Sequence, residues 1–484
     1  MAGRRAGKRR LRYALYGLAG LLVLLIALGV PLGLYLRRDE PVVYEDVVEQ
    51  FKYGSVGTEE EQGVPFLVWA VLPDVFADLL PAGEGSGYER LGFLYEPGST
   101  RPIGTTIREK PVPLLGVNCS LCHTGTLRAA PDAERRLVYG MPANRFRIGD
   151  YIEFLRAVGK DERFDADTLL PAIERRFPGE LSRLERLFYR YVVIPQTRDG
   201  LRELDEDFRW VDGRPAFGPG RVDTFDPWKE RFDFDMSAED AIGTADYPSI
   251  WDQRPRRGLA LHWDGNNPSL LERNISASLA VGATAGSLDL GQLGRVAEWL
   301  LDLKPPAFPS ARIDSELAAR GKAIYDRECA SCHDVGGTEV GTVTALARLG
   351  TDAERLRSFS PELAEKMNTL GEGEPWAFSH FRSTDGYANS LLDGIWLRAP
   401  YLHNGSVPDL RSLLVPEERP EVFYTGYDVY DWKRLGFVSS GPDARREGFR
   451  FDTRLQGNGN GGHLFGSDLR ENQIEALLEY LKTL

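Results

Sequence analysis

Cysteine, methionine and histidine are scarce in this chain, with four, four and six copies among 484 residues. Four cysteines are too few for a fold stapled by a dense disulfide framework. Lys and Arg (59) are outnumbered by Asp and Glu (72), leaving a net charge of −13. The basic surplus that phosphate binding requires is missing, so nucleic acid is excluded as a partner. Residues 1–38 in turn lack any acid while holding eight Lys and Arg, so the rest of the chain carries −21. Long charge-free apolar runs are absent except for Tyr13–Leu36, 24 residues without a charge. As a helix that run reaches roughly 36 Å, enough for a hydrocarbon core of about 30 Å. More basic residues precede it than follow it, and the positive-inside rule then places the N-terminus in the cytoplasm. The expectation is a single-pass anchor in a bacterial inner membrane, with everything after Arg38 on the periplasmic side. A cleaved signal peptide is the rival, disfavoured by the length of the run and the lack of a clear Ala-x-Ala site.

The four cysteines fall into two copies of one pattern, Cys119-Ser-Leu-Cys122-His123 and Cys329-Ala-Ser-Cys332-His333. With so few histidines, one directly after both pairs has a chance probability on the order of one in ten thousand. Two thiols at this spacing add across the vinyl groups of a haem, and the adjoining imidazole becomes the proximal iron ligand. Structural zinc would space its cysteine pairs by about 15–20 residues, far less than separates these two. A thioredoxin-like redox pair needs no following His. Two covalently bound c-type haems are therefore expected, on Cys119, Cys122 and His123 and on Cys329, Cys332 and His333.

Hydrophobic residues at 42% and charged residues at 27% are globular composition. The organisation expected is a basic tail (1–12), the anchor (13–36), a juxtamembrane segment (37–90), a first haem domain with an insertion (91–305) and a second haem domain (311–484). The apolar patch Val64–Leu72 is too short to span a membrane and reads as core. Charged helical periodicity marks 150–210, and Gly, Pro, Asp and Trp mark 211–270 as long loops over a site. Leu293, Val296, Ala297 and Leu300 share a helix face, as do Ile474, Leu477, Leu478 and Leu481. Between the domains lies the stiff segment Lys304-Pro-Pro-Ala-Phe-Pro309. Leu317, Gly321, Ile324 and Tyr325 form a helix leading into the second motif, with Ser315 as its N-cap. No such helix precedes Cys119, where Pro111 and Pro113 forbid one.

The stretch from Leu317-Ala-Ala-Arg-Gly-Lys through Cys329–His333 to the closing Leu-Leu-Glu-Tyr-Leu-Lys resembles a small class I cytochrome c. With Leu397-Arg-Ala-Pro-Tyr-Leu-His403-Asn-Gly-Ser-Val-Pro-Asp-Leu410, the whole exported part resembles the di-haem cytochrome c peroxidase superfamily, and its large insertions are similar to the rubber-oxygenase-like branch. The resemblance implies a mainly α fold, two cytochrome c-type haem domains with long loop insertions. It also implies redox chemistry at the first haem and electron transfer through the second. The partners it implies are a small oxidant, hydrogen peroxide or dioxygen, and a redox partner protein; the membrane would be reached through the N-terminal helix.

The sixth iron ligands decide what each haem can do. None of the four methionines lies before the terminal helix, where a class I cytochrome c carries its distal ligand; His463 does, in Gly459-Asn-Gly-Gly-His463. His403 is the rival, and a plain surface histidine in a flexible loop is the third reading of His463. The equivalent stretch of the first domain, Ala280–Gly286, holds no side chain that can ligate iron. His262, in Leu261-His-Trp-Asp-Gly-Asn-Asn267, reads as a catalytic acid/base over the first haem, as its distal ligand, or as a hydrogen-bonded structural residue. Tyr139 and Met141 also stand where either could close that site, and Arg221 could pair with a haem propionate. The function expected is a membrane-anchored periplasmic di-haem cytochrome acting as a peroxidase- or oxygenase-like enzyme; the alternative is a non-catalytic electron carrier.

Overall fold

Pro111 and Pro113 do keep a helix away from Cys119, and the chain uses them to turn a hairpin. The structure is a computed structural model that describes residue 16 and residues 37–484. Strands β1 (Thr105–Glu109) and β2 (Leu114–Val117) pair antiparallel, with Thr105 opposite Val117. Glu40–Pro41 and Val64–Pro65 flank them to complete a four-stranded sheet. Strand β2 runs directly into the first cysteine motif, so a sheet delivers it rather than a helix. After the motif a second hairpin follows, β3 (Thr124–Leu127) with β4 (Arg136–Tyr139).

The apolar patch at 64–72 becomes helix α1 (Phe66–Val75), whose Val68, Val71 and Leu72 are fully buried. Pro73 lies inside it and cannot donate to the Trp69 carbonyl one turn back. That carbonyl instead accepts from the Tyr88 hydroxyl at 2.8 Å, while the two rings stack at 4.1 Å. Around α1 packs the helical insertion, α2 (Ile148–Lys160), α3 (Ala166–Arg176) and α4 (Ile194–Asp207), which shares its core with Trp69, Phe154, Ile173 and Leu201. Further on come α5 (Leu270–Ala280) and α6 (Leu290–Asp302). Residues 303–309 then run without helix or strand.

In the second half, α7 (Ser315–Glu328) crosses the terminal helix α8 (Glu471–Leu481). Gly321 is essential to that crossing, because a Cβ there would collide with the Ala476 carbonyl. Tyr325 and Tyr480 meet beside it with ring centres 5.0 Å apart. The N-cap of α7 is Asp314, which accepts from the amides of Glu316 and Leu317. Ser315, expected as the cap, is the first helical residue; the carboxylate one position earlier reaches both free amides.

Two expectations are corrected here. The fold is not mainly α: it is 41% helical and 12% strand, a mixed architecture with several small sheets. The hairpins are short, two to five residues a strand, so period-2 alternation cannot establish itself in the sequence, and Gly (51) and Pro (30) interrupt what would otherwise lengthen into helices. The single-pass anchor and the inner-membrane, periplasmic placement built on it do not stand either. Among the described residues no helix is long and apolar enough to cross a membrane; the Tyr13–Leu36 run lies outside the described residues apart from Tyr16.

The two halves are bonded tightly to each other. Arg128 and Asp428–Tyr430 exchange backbone hydrogen bonds at 2.8 and 3.0 Å. The Asp428 carboxylate is fully covered and accepts from Arg128, Arg135 and Thr126, with Arg145 at 3.5 Å. Burial opposes its ionisation, yet the Arg135 hydrogen bond and the Arg145 and Arg135 charges hold its pKa at about 2. A carboxyl depressed from 3.8 stabilises the fold fully above pH 4 and loses that contribution as pH falls toward 2. Asp428→Asn removes the buried carboxylate that three guanidinium groups share, leaving them Glu84 and Glu447, and is expected to cost roughly 3 kcal/mol at pH 7. Urea midpoints should differ clearly between Asp428→Asn and the unsubstituted protein at pH 7, draw together below pH 4 and converge only below pH 2.

Candidate haem sites

Both Cys-x-x-Cys-His segments fold into the same turn. At the first, Asn118 accepts from the Ser120 amide at 3.0 Å and donates to the Gly54 carbonyl, which starts the turn as β2 ends. The His123 amide then donates to the Cys119 carbonyl at 3.1 Å; at the second motif the His333 amide donates to Cys329 at 3.0 Å. One helical turn from first thiol to imidazole puts all three groups on one side of the backbone, as two thioethers and a proximal nitrogen require. The four cysteines are free thiols. Burial raises all their pKa values, Cys122 and Cys329 to about 12. Among the described residues no group of three or more His, Cys, Asp or Glu converges to hold a metal ion.

At the second site the His333 Nδ1 donates to the Ser390 carbonyl at 2.7 Å, so the lone pair lies on Nε2. His463 faces it with ring centres 6.3 Å apart. Two imidazoles on opposite sides of one metal, each at about 2 Å, hold their centres roughly 6–6.5 Å apart, so the pair fits an iron between them. The His463 Nδ1 is buried and has no hydrogen-bond partner. Burial and the neighbouring His333 push His463 down to about 4, which keeps it neutral and able to ligate.

The loop that carries His463 is not a free surface loop. Gly462 has φ +75° and lies against the Gly350–Thr351 backbone, where no Cβ would fit. Arg419 donates to the carbonyls of Asn460 and Gly462 at 2.7 and 2.8 Å. Asn404 and Ser406 hold the Gly457 and Gly459 carbonyls at 2.9–3.1 Å. The His-Asn-Gly-Ser segment therefore acts through its last residues, by clamping the His463 loop. Its His403 does not meet His333 in a ring contact. Tyr387 stacks on it at 4.1 Å, and the Tyr387 hydroxyl contacts both the Asp352 carbonyl at 2.7 Å and His403 Nε2 at 3.0 Å, so that nitrogen is engaged by Tyr387.

The first site is asymmetric to this. His123 is pushed down to about 4 by burial, with the Arg273 charge adding to the shift. Its ring contact is with Tyr247, at 6.3 Å. The Thr124 hydroxyl is buried without a hydrogen-bond partner, while the Pro248 carbonyl acts on His123 and the Tyr247 hydroxyl on the Cys122 thiol. Two thiols and an imidazole presented from one turn suit the two thioether bonds and proximal nitrogen of a c-type haem. No second histidine ring is in contact with His123 among the described residues. His262, in a left-handed turn (φ +62°), donates from Nδ1 to Asn266 and leaves Nε2 to take a proton. Burial, with Arg273 and Arg355 adding to it, lowers His262 to about 4 against the pull of Asp264 and Asn266. The Arg273 charge thus acts on His123 and His262 both.

The remaining candidates have other partners. Tyr139 packs edge-on to Phe51, and its carbonyl accepts from Trp251 at 2.7 Å. Met141 is 1% exposed and sits in the core shared by the two halves. Arg221 donates to Asn458 and the Phe217 carbonyl, over the Phe451 ring. Sequence reasoning missed Ser390, Asn404, Ser406 and Arg419. Only Asn404 and Ser406 carried a signal, inside the Leu397–Leu410 segment; a main-chain acceptor such as Ser390 leaves none.

Two family models match. Residues 318–383 match cytochrome c, and residues 386–424 match the RoxA-like, cytochrome c-like family. The first motif, at 119–123, lies outside both segments. Two relatives come from Sinorhizobium fredii (strain NBRC 101917 / NGR234). The uncharacterized protein y4iM is 32% identical over 283 residues, 49% of this chain and 64% of that protein. The uncharacterized protein y4iJ is 26% identical over 515 residues, 84% of this chain and 82% of that protein. The alignment with y4iM thus spans a little under two thirds of it. The chain carries cytochrome c domains of RoxA-like relation and so binds c-type haem covalently; the matches do not extend to the di-haem peroxidase superfamily. The double variant Cys329→Ser/Cys332→Ser is expected to lose the haem of the second site. Haem staining after acid–acetone extraction and a pyridine haemochrome assay per polypeptide check it; an unchanged covalent haem content would refute the attachment.

Proposed function

We propose that this protein is a di-haem c-type cytochrome that works as a redox enzyme on a small oxidant, hydrogen peroxide or dioxygen. In this reading Cys119, Cys122 and His123 hold the reactive haem, while Cys329, Cys332, His333 and His463 hold the electron-transfer haem. The observation that carries it is the asymmetry of the two sites. His333 has an imidazole opposite it at the spacing of a shared metal, whereas His123 has no histidine ring against it among the described residues. A bound haem supplies iron redox chemistry, and an open sixth position lets a small oxidant bind.

The protein's own part is proton and electron management. His262 holds its ring through Nδ1 and Asn266, so Nε2 can accept and return a proton near the oxidant. Being neutral at pH 7, it serves first as the base. Trp251 is fully buried with one edge on Gly140 and the other on Gly394. Gly140 donates to the His123 carbonyl at 2.8 Å, and Gly394 follows the segment whose Ser390 carbonyl holds His333. Trp251 is therefore the side chain best positioned to carry electrons between the sites. A redox partner protein would exchange electrons at the second motif, where Val335 (72%) and Leu464 (58%) lie exposed.

Spectroscopy separates this reading from a plain electron carrier. High-spin iron at the first site, with a spectral change on adding cyanide, or carbon monoxide after reduction, is expected; two inert low-spin haems would favour the carrier. His262→Ala is expected to slow turnover with the oxidant by roughly 10²–10⁴ while covalent haem content stays unchanged. At the second site, His463→Ala should abolish the low-spin spectrum and shift the midpoint potential, and His403→Ala should do neither. The reverse pattern would move the ligand to His403.

A further inference from the structure

The loops of residues 211–270 reach into the second half of the chain. Their short strand Arg221–Asp223 pairs with Thr244–Asp246, Arg221 standing opposite Asp246. This strand pair is pinned to both halves: the Gly220 amide donates to the Phe146 carbonyl and the Asp246 amide to the His403 carbonyl, each at 2.9 Å. From it the Arg221 side chain, 2% exposed, crosses to the loop that carries His463. Its guanidinium donates to Asn458 Oδ1 at 2.7 Å and to the Phe217 carbonyl at 3.1 Å, and lies 4.7 Å from the centre of the Phe451 ring. Asn458 is buried as well, and its Nδ2 donates to the Asp452 carbonyl at 3.1 Å. Two further contacts run the same way. Gln456 donates to the Asp240 carbonyl at 2.8 Å, and Gly457 (φ +77°) lies so close to Ile242 that a Cβ there would collide. At the other end of the loop His463 itself sits at φ +50°, a left-handed conformation that a histidine keeps only where surrounding contacts impose it.

We propose that Arg221, a residue of the first half, is a positioning residue for the second iron site: through Asn458 it holds the loop in the form that aims His463 at His333. The second half supplies its own clamps, Arg419, Asn404 and Ser406, but these grip main-chain carbonyls of the loop. Arg221 grips a side chain, and it does so from 237 positions upstream. A planar guanidinium can fork two hydrogen bonds and stack on a ring at once, which a lysine ammonium cannot. Asp246 and Asp352 act on Arg221 through their charge, and burial lowers it to about 10, which leaves it cationic at neutral pH. The bond to Asn458 is therefore charge-assisted and shielded from water, the setting in which such a bond holds geometry best. The second site is then incomplete without the first half. The inference rests on the reading that His463 ligates the second iron, and His463→Ala tests that reading separately.

The experiment follows carbon monoxide binding to the fully reduced holoprotein, reading the phase in which the low-spin spectrum of the second site is lost as the gas displaces His463. Arg221→Gln is expected to speed that phase roughly 10-fold, the factor that loss of a hydrogen bond to a charged group predicts. It should also move the midpoint potential of the second site in the direction that His463→Ala moves it. Arg221→Lys keeps a donor for Asn458 and should recover part of both effects. Asn458→Ala removes the same bond from the loop side and is the readable variant if Arg221→Gln folds poorly. The double variant Arg221→Gln/Asn458→Ala should be no faster than the faster single variant, because both act through one bond. Haem-loaded Arg221→Gln or Asn458→Ala protein with the unsubstituted carbon monoxide rate and potential overturns the proposal, even where its urea midpoint has fallen. A low-spin spectrum that survives His463→Ala would instead overturn the ligand reading beneath it.

Discussion

Trp251 fixes how the two halves of the chain stand against each other. Its indole is wholly enclosed, and both of its neighbouring positions are glycines because nothing larger fits: a Cβ on Gly140 would strike one edge of the ring and a Cβ on Gly394 the other. The indole N–H is spent on the Tyr139 carbonyl, so the ring cannot turn without stranding a buried donor. Each motif is bonded close to this wedge, His123 through Gly140 and His333 through the Ser390 segment. The shared core then forms around it, with Leu127, Val138 and Met141 from one half and Ile395, Trp396 and Tyr430 from the other.

The electrostatics follow from the same enclosure. Three arginines from the first half converge on Asp428 of the second, an arrangement that neither half could keep in water. The histidines around the sites are driven toward their neutral form by burial before any neighbour acts on them. Neutral imidazoles are what iron ligation and proton acceptance both require. What separates their roles is where each proton sits. A carbonyl takes the Nδ1 proton of His333, Asn266 takes that of His262, and the Tyr387 hydroxyl occupies Nε2 of His403.

Several features were legible in the sequence because their causes are local. The two Cys-x-x-Cys-His turns depend on spacing alone. The helices at Leu290–Asp302, Ser315–Glu328 and Glu471–Leu481 follow from apolar residues at helical intervals. The prolines ahead of Cys119 correctly forbade a helix, but nothing local showed that a hairpin would replace it, since its partner strands come from residues 40–41 and 64–65. The mixed fold escaped notice for the same reason. Strands of two to five residues are stabilised by their partners, and partners distant in sequence leave no period to read.

By itself the sequence set out two pairs of thiols, each followed by a histidine, at a spacing that one helical turn presents on one side of the backbone. The tertiary structure alone decided which other side chains face those groups. His463 and His403 look equally eligible as letters; the clamp of Asn404, Ser406 and Arg419 on the 457–463 loop turns one toward His333, and Tyr387 keeps the other. Ligand spacing along a chain is a local property, whereas the direction of a lone pair arises only when distant segments pack.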